Sequence, residues 1–249
     1  MIELKDVHKA FDDHEVLRGL SLTVEAGETL VMLGRSGTGK SVTLKIVDGL
    51  LAPDSGSVRV GDVDVTTADL KALRAMRRKV AFLFQTGALV NWMTVHENVA
   101  LPLIEQRELS LADIDAKVKE ALESLDMLKS ADQLPDSISG GMRKRAALAR
   151  VLVQQPDAVL YDEPTAGLDP ILSRTVGRLI KKVQTGGQRA ALVVTHDLEL
   201  AFTVADRIGL HHQGQLVEVG TPDVFRQSKH PVVRAFLDGK DELPEGEAE

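Results

Sequence analysis

The spacing of apolar and polar positions changes along this chain, and each change predicts a different kind of structure. The opening reads as short strands, "MIELKDV" and then "LSLTVEAGETLVML", with a turn at Ala26-Gly27. A helix beginning at Gly39-Lys40 is expected to run to about Asp48, where "GLLAPDSG" breaks it. "SVRVGDVDV" alternates as a hairpin does, turning over Gly61-Asp62. After a short helix, "KVAFLFQ" predicts a buried strand ending at Gln85. From about Thr86 to Gln154 the period becomes helical. There "LADIDAKVKEALESLDML" carries apolar residues at helical spacing behind Ser110, its expected N-cap. Residues 86–154 are therefore expected to form a helical lobe.

The alternation then returns. Strand "AVLYD", helix "LSRTVGRLIKKV", strand "AALVVTHD" and helix "LELAFTVA" follow in order, before strands "RIGLHH" and "QLVEVG". This order predicts an α/β fold whose mostly parallel sheet presents ligands at the carboxyl ends of its strands. The N-terminal strands form an antiparallel β part, and the helical lobe is an insertion. No internal repeat is visible.

Composition narrows the reading. With 249 residues, 43% hydrophobic and 27% charged, the chain is expected to form one domain over residues 1–238. The stretch ending "DGKDELPEGEAE" gives residues 239–249 the composition of a disordered, solubilising tail, with a subunit contact as the alternative. The net charge of −7 disfavours a general affinity for nucleic acid. The absence of cysteine excludes disulfides and thiolate metal sites. "MIELKDVHKAFDD" has no basic-then-apolar leader, and "TLVMLG", "DAVLY" and "AALVVT" are too short to span a bilayer. The expectation is a cytoplasmic protein that reaches a membrane only through a partner.

The strongest local signal is "GRSGTGKS", Gly34 to Ser41, because it follows a strand and opens a helix. Gly34, Gly37 and Gly39 let the backbone curl around phosphate oxygens, and the loop of Arg35, Ser36 and Thr38 belongs to that cradle. Lys40 offers a point charge to the β and γ phosphates of a nucleotide, and Ser41 offers a hydroxyl to Mg²⁺.

In "AVLYDEP" a buried strand delivers Asp162 to the same metal, and Glu163 follows where it can accept a proton from an attacking water. The amide of Gln85 could reach metal or water. His196 could orient the water or bond the γ-phosphate, or it could be structural. His211 and His212 lack further ligand-type partners at metal-binding spacing. "ISGGMRKRAALAR" is a second glycine loop at a helix start, and such a loop suits an anion.

Taken in order, "GRSGTGKS", Gln85, "ISGGM", "AVLYDEP", "AGLD" and His196 resemble the nucleotide-binding subunit of ABC (ATP-binding cassette) transporters, over Phe11 to about Asp238. The resemblance implies that Ser139, Gly140 and Gly141 grip the γ-phosphate of ATP held by the opposite chain of a homodimer. It departs from the usual pattern at Ile138 and Met142. It further implies that Phe11 stacks on adenine, that Asp169 of "AGLD" crosses the dimer interface, and that two ATP and Mg²⁺ are sandwiched.

"FQTGAL", "MTVHENVALPL" and "SGGMRKRAALAR" look like the ATPases of Mla and Mce lipid-transport systems. That branch implies an integral permease, an MCE-domain lipid-binding protein and a phospholipid or other apolar cargo. It places the chain at the cytoplasmic face of the inner membrane. Asn91 and Trp92 then either contact the permease or pack locally. Against a switch GTPase stands the missing Asn-Lys-x-Asp motif. A single cassette without heptads weighs against a DNA- or ribosome-acting ABC protein.

Overall fold

The computed structural model describes residues 1–184 and 188–240, so the expected tail lies outside the described residues from 241 onward. In chain order it runs β1 (Ile2–Phe11), β2 (His14–Val24), β3 (Thr29–Leu33), α1 (Lys40–Val47), β4 (Ser55–Val60), β5 (Val63–Asp64), α2 (Leu70–Arg77) and β6 (Val80–Leu83). Next come α3 (Val95–Gln106), α4 (Leu111–Ser124) and α5 (Gly140–Leu152), then β7 (Ala158–Asp162), α6 (Pro170–Gln184), β8 (Ala190–Thr195) and α7 (Leu198–Val204). β9 (Arg207–His212), β10 (Gln215–Gly220), α8 (Pro222–Arg226) and α9 (Pro231–Leu237) complete it.

Two sheets carry the structure. One is four-stranded in the order β2-β1-β4-β5, and its paired strands are antiparallel. The other is six-stranded in the order β10-β9-β3-β8-β7-β6, parallel throughout except for the β9–β10 hairpin. A parallel sheet is covered on both faces, so its strands read as continuous apolar runs. Here alternate residues serve different cores. Val31, Leu33, Val159, Tyr161, Ala191 and Val193 face the core shared with α3–α7. Leu30, Met32, Leu160, Leu192 and Val194 face the core shared with α1 and the smaller sheet.

The helical stretch forms as the periodicity predicts. Ser110 caps α4, its hydroxyl accepting from Asp113 N. Thr94 and Glu97 form a reciprocal capping box on α3. Two boundaries differ from the sequence reading. β2 begins at His14, well before Leu20, because it pairs with β1 from Phe11↔His14 through to Ile2↔Val24. β6 stops at Leu83, where its last pair with Tyr161 is made, and Gln85 lies in the turn beyond, closed by Gly87 N donating to Phe84 O at 2.8 Å.

The strand order fixes the site. β3, β8, β7 and β6 lie side by side and point the same way. Their carboxyl ends therefore bring the phosphate loop, Thr195-His196, Asp162-Glu163 and Gln85 to one edge of the sheet.

Candidate active site

A cleft of about 360 Å³ opens at that edge, lined by Phe11, His14, Val16, Ser36, Gly37, Gly39, Lys40, Ser41, Val42, Gln85, Glu163 and His196. Its floor is the start of α1. No side chain caps that helix, so its first N–H groups point out of the loop unclaimed, a geometry suited to an anion. Two glycines shape the turn. A side chain at Gly34 would come within 2.7 Å of the His211 carbonyl. Gly39, at φ 105°, would press a Cβ to 2.6 Å from Val16. The Lys40 ammonium folds back over the loop, donating to Gly34 O at 2.8 Å and Arg35 O at 2.7 Å. It also lies 3.4 Å from Glu163 Oε1. Burial pulls its pKa below the usual lysine value, and the carboxylates of Glu163 and Asp162 draw it partly back.

Glu163 is held unusually tightly. Its backbone is left-handed, φ 43°, a conformation costing about 1–3 kcal/mol outside glycine and one the surroundings must impose. Its N–H donates to Val194 O at 2.9 Å. On the side chain, Oε2 accepts from Thr195 Oγ1 at 3.1 Å, from His196 N at 3.3 Å and from His196 Nδ1 at 2.9 Å. Since a carboxylate only accepts, Nδ1 must carry the imidazole proton, which leaves Nε2 of neutral His196 as an acceptor. Among the described residues, Oε1 meets only Lys40, at 3.4 Å.

Asp162 accepts from Ser41 Oγ at 2.8 Å. Burial raises its pKa above the usual carboxylate range and the neighbouring Glu163 charge adds to this, against the Ser41 hydrogen bond and the lysines at 40 and 45. A buried carboxylate beside a hydroxyl, with an amide at Gln85 on the same edge, is a hard-oxygen set of the kind that takes Mg²⁺ with phosphate and water completing the shell. These residues fit the ion.

The structure thus gathers Phe11, Ser36, Gly37, Gly39, Lys40, Ser41, Gln85, Glu163 and His196 around one cleft, with Asp162 behind Ser41. Phe11 is 45% exposed, which removes the core-aromatic alternative. The Arg35 side chain donates to Lys240 O and lines an adjoining cleft of about 630 Å³, which shares His14, Val16 and Gly37 with the first. The Arg35 carbonyl serves the loop, accepting from Thr38 Oγ1 at 3.0 Å and Lys40 Nζ at 2.7 Å. Ser139, Gly140, Gly141 and Asp169 do not line the cleft of their own chain. Ser139 caps α5, accepting from Met142 N at 3.3 Å, and Asp169 Oδ1 accepts from Ile171 N and Leu172 N at the start of α6. His211 is buried with both ring nitrogens unpartnered, and burial, with the charges of Lys40 and His212, pushes it down to about 4.

Three functional contacts escaped the sequence reading. Thr195 orients the Glu163 carboxylate. Lys144, from the basic stretch of α5, is buried and donates to Gln85 O and to Glu163 O. Asn98 is buried and ties the loop before α3, accepting from Val90 N at 2.6 Å and donating to Val90 O, Met93 O and Thr94 O, each at 3.0 Å. Only Thr195 left a trace in the pattern, as a hydroxyl closing the strand before a histidine.

Known proteins resemble this chain in sequence and in fold. The profile of the family described as "ABC transporter" matches residues 17–166. The "Probable ribonucleotide transport ATP-binding protein mkl" of Mycobacterium leprae is 39% identical over 248 residues, covering 100% of this chain and 72% of that protein. The "Methionine import ATP-binding protein MetN 1" of Pseudomonas fluorescens is 36% identical over 252 residues, covering 99% of this chain and 75% of the relative. Among solved structures, the dimeric post-hydrolysis state of the ATP-binding cassette MJ0796 bound to ADP and Pi superposes with a TM-score of 0.82. That match has 31% identity and covers 89% of this chain and 99% of the other.

Proposed function

The chain belongs to the ABC transporter family as an ATP-hydrolysing subunit, and from that premise we propose that it powers transport of phospholipid, or another apolar cargo, between membranes through a separate permease. The hydrolytic half of this reading is carried by the arrangement around Glu163. Three donors fix one carboxylate oxygen, and among the described residues the other meets only Lys40. When the triphosphate draws Lys40 toward it, Oε1 is released and becomes the base that takes the proton of the attacking water. His196, held by the same carboxylate, offers its other nitrogen as an acceptor to the attacking water. Phe11 stacks on the base. Ser41, Asp162 and Gln85 hold Mg²⁺, which neutralises phosphate charge when bound.

The site is completed by a second copy. Ser139, Gly140 and Gly141 lie away from their own chain's cleft, and the similar MJ0796 cassette is dimeric. Asp169 lies on the same crossing surface. Such an arrangement needs no membrane span, and no helix among the described residues is long and apolar enough to make one. Attachment is by Trp92, 81% exposed on a loop that Asn98 pins from within, which supports permease contact over local packing. The chain then sits peripherally on the cytoplasmic face of the inner membrane.

Support for this cargo comes from "FQTGAL", "MTVHENVALPL" and "SGGMRKRAALAR", which resemble segments of Mla and Mce lipid-transport ATPases. The likeness to a methionine import protein favours a second reading, import of another solute. A pull-down separates them. Tagged Glu163→Gln, trapped with ATP in its native host and gently solubilised, is expected to bring down a polytopic permease, an MCE-domain protein and phospholipid. A permease with a different solute-binding protein keeps the ATPase and overturns the cargo.

A further inference from the structure

α5 begins with the Ser139-Gly140-Gly141 loop, and two of its cations point inward. Lys144, only 7% exposed, donates to the backbone carbonyls of Gln85 and, at 3.4 Å, Glu163. Arg150 donates to Gly87 O at 2.6 Å and Ala88 O at 2.8 Å. The first part of the loop after β6 is thus gripped from α5 at Gln85 and at Gly87-Ala88, and Lys144 also reaches the loop after β7. These loops carry the metal-facing amide and the base, and they leave different strands. A buried ammonium is costly unless compensated. Here burial lowers the Lys144 pKa and the carboxylates of Asp162 and Glu163 oppose that shift.

Glu163 makes this contact consequential. Its left-handed backbone has to be imposed, and its carbonyl is held by Ala166 N at 3.1 Å and by Lys144. Freed from Lys144, that peptide can rotate toward a commoner conformation and carry the carboxylate off its Thr195 and His196 donors. We propose that Lys144 is a positioning residue that couples the helix bearing the second glycine loop to Gln85 and Glu163, so that the placement of α5 sets the placement of the base. The inference rests on Glu163 being that base.

The test uses the full chain with Lys144→Met and Lys144→Gln, each alone and with Glu163→Gln. Lys144→Met is expected to leave ATP affinity, read with a fluorescent analogue, unchanged while kcat falls about 10- to 100-fold, the scale set by misplacing a reacting group by about 1 Å. Lys144→Gln keeps N–H donors on a shorter stem and is expected to fall less. In the Glu163→Gln background Lys144→Met costs less than it does alone, because the part that acts through Glu163 is already lost and only the part through Gln85 remains. Unchanged kcat, or a loss that adds fully to that of Glu163→Gln, overturns the proposal. If Lys144→Met does not fold, Lys144→Gln decides alone: kcat lowered with affinity intact supports it, and parental kcat overturns it. Rapid turnover by Glu163→Gln alone overturns the base assignment instead, so the two failures are distinguishable.

Discussion

Glu163→Gln is expected to bind ATP at least as tightly as the parent chain and to lose turnover by about 10²- to 10⁴-fold, the usual contribution of a positioned general base. The amide keeps the shape of the side chain and can still accept from Thr195 Oγ1 and His196, so the left-handed turn at residue 163 has no reason to collapse. What it loses is the negative charge. That charge lies 3.4 Å from the Lys40 ammonium, and its removal frees the lysine for phosphate and relieves repulsion between carboxylate and nucleotide. Binding without turnover should therefore accumulate an ATP-bound dimer, visible as a doubled mass in size-exclusion chromatography with light scattering. Turnover near the parental rate removes Glu163 from the chemistry.

Lys40→Ala is expected to weaken ATP binding by about 10- to 100-fold, which corresponds to losing a charge-assisted hydrogen bond worth about 1.5–3 kcal/mol. Hydrolysis should fall below detection, since the same ammonium stabilises charge on the transferred phosphate. The two variants differ in a telling way. Glu163→Gln separates binding from chemistry, whereas Lys40→Ala impairs both, and it also takes from Glu163 Oε1 the ammonium that lies 3.4 Å away. Nucleotide titration by calorimetry reads the first effect directly. Parental affinity in Lys40→Ala contradicts the placement of the triphosphate on this loop.

The fold was legible because each β-strand of the parallel sheet is a short apolar run set between helical periods. "TLVML", "AVLYD" and "AALVVT" needed burial on two faces, which α3–α7 supply on one side and α1 with the smaller sheet on the other. The cleft residues were legible because phosphate and metal chemistry demands particular residue types at fixed offsets from a strand end. Contacts through backbone atoms left no such mark. Lys144 reads as one of several basic residues on a helix surface, yet its partners are carbonyls contributed by loops about 20 and 60 positions away, which no local period encodes. Asn98 was hidden for the same reason: its four hydrogen bonds all go to main-chain groups. The direction of Arg35 depends on where Lys240 returns in three dimensions, far along the chain.

Everything proposed for catalysis requires the glycine loop of a second copy, because Ser139, Gly140 and Gly141 do not line the cleft of the chain that carries them. The most direct measurement is ATP hydrolysis per chain as a function of chain concentration, with Mg²⁺ and ATP in excess. The specific rate is expected to climb with concentration and to level off once the chain is dimeric. A specific rate that stays constant from the most dilute sample upward, in a chain shown to be monomeric there, would mean that one copy holds a complete site.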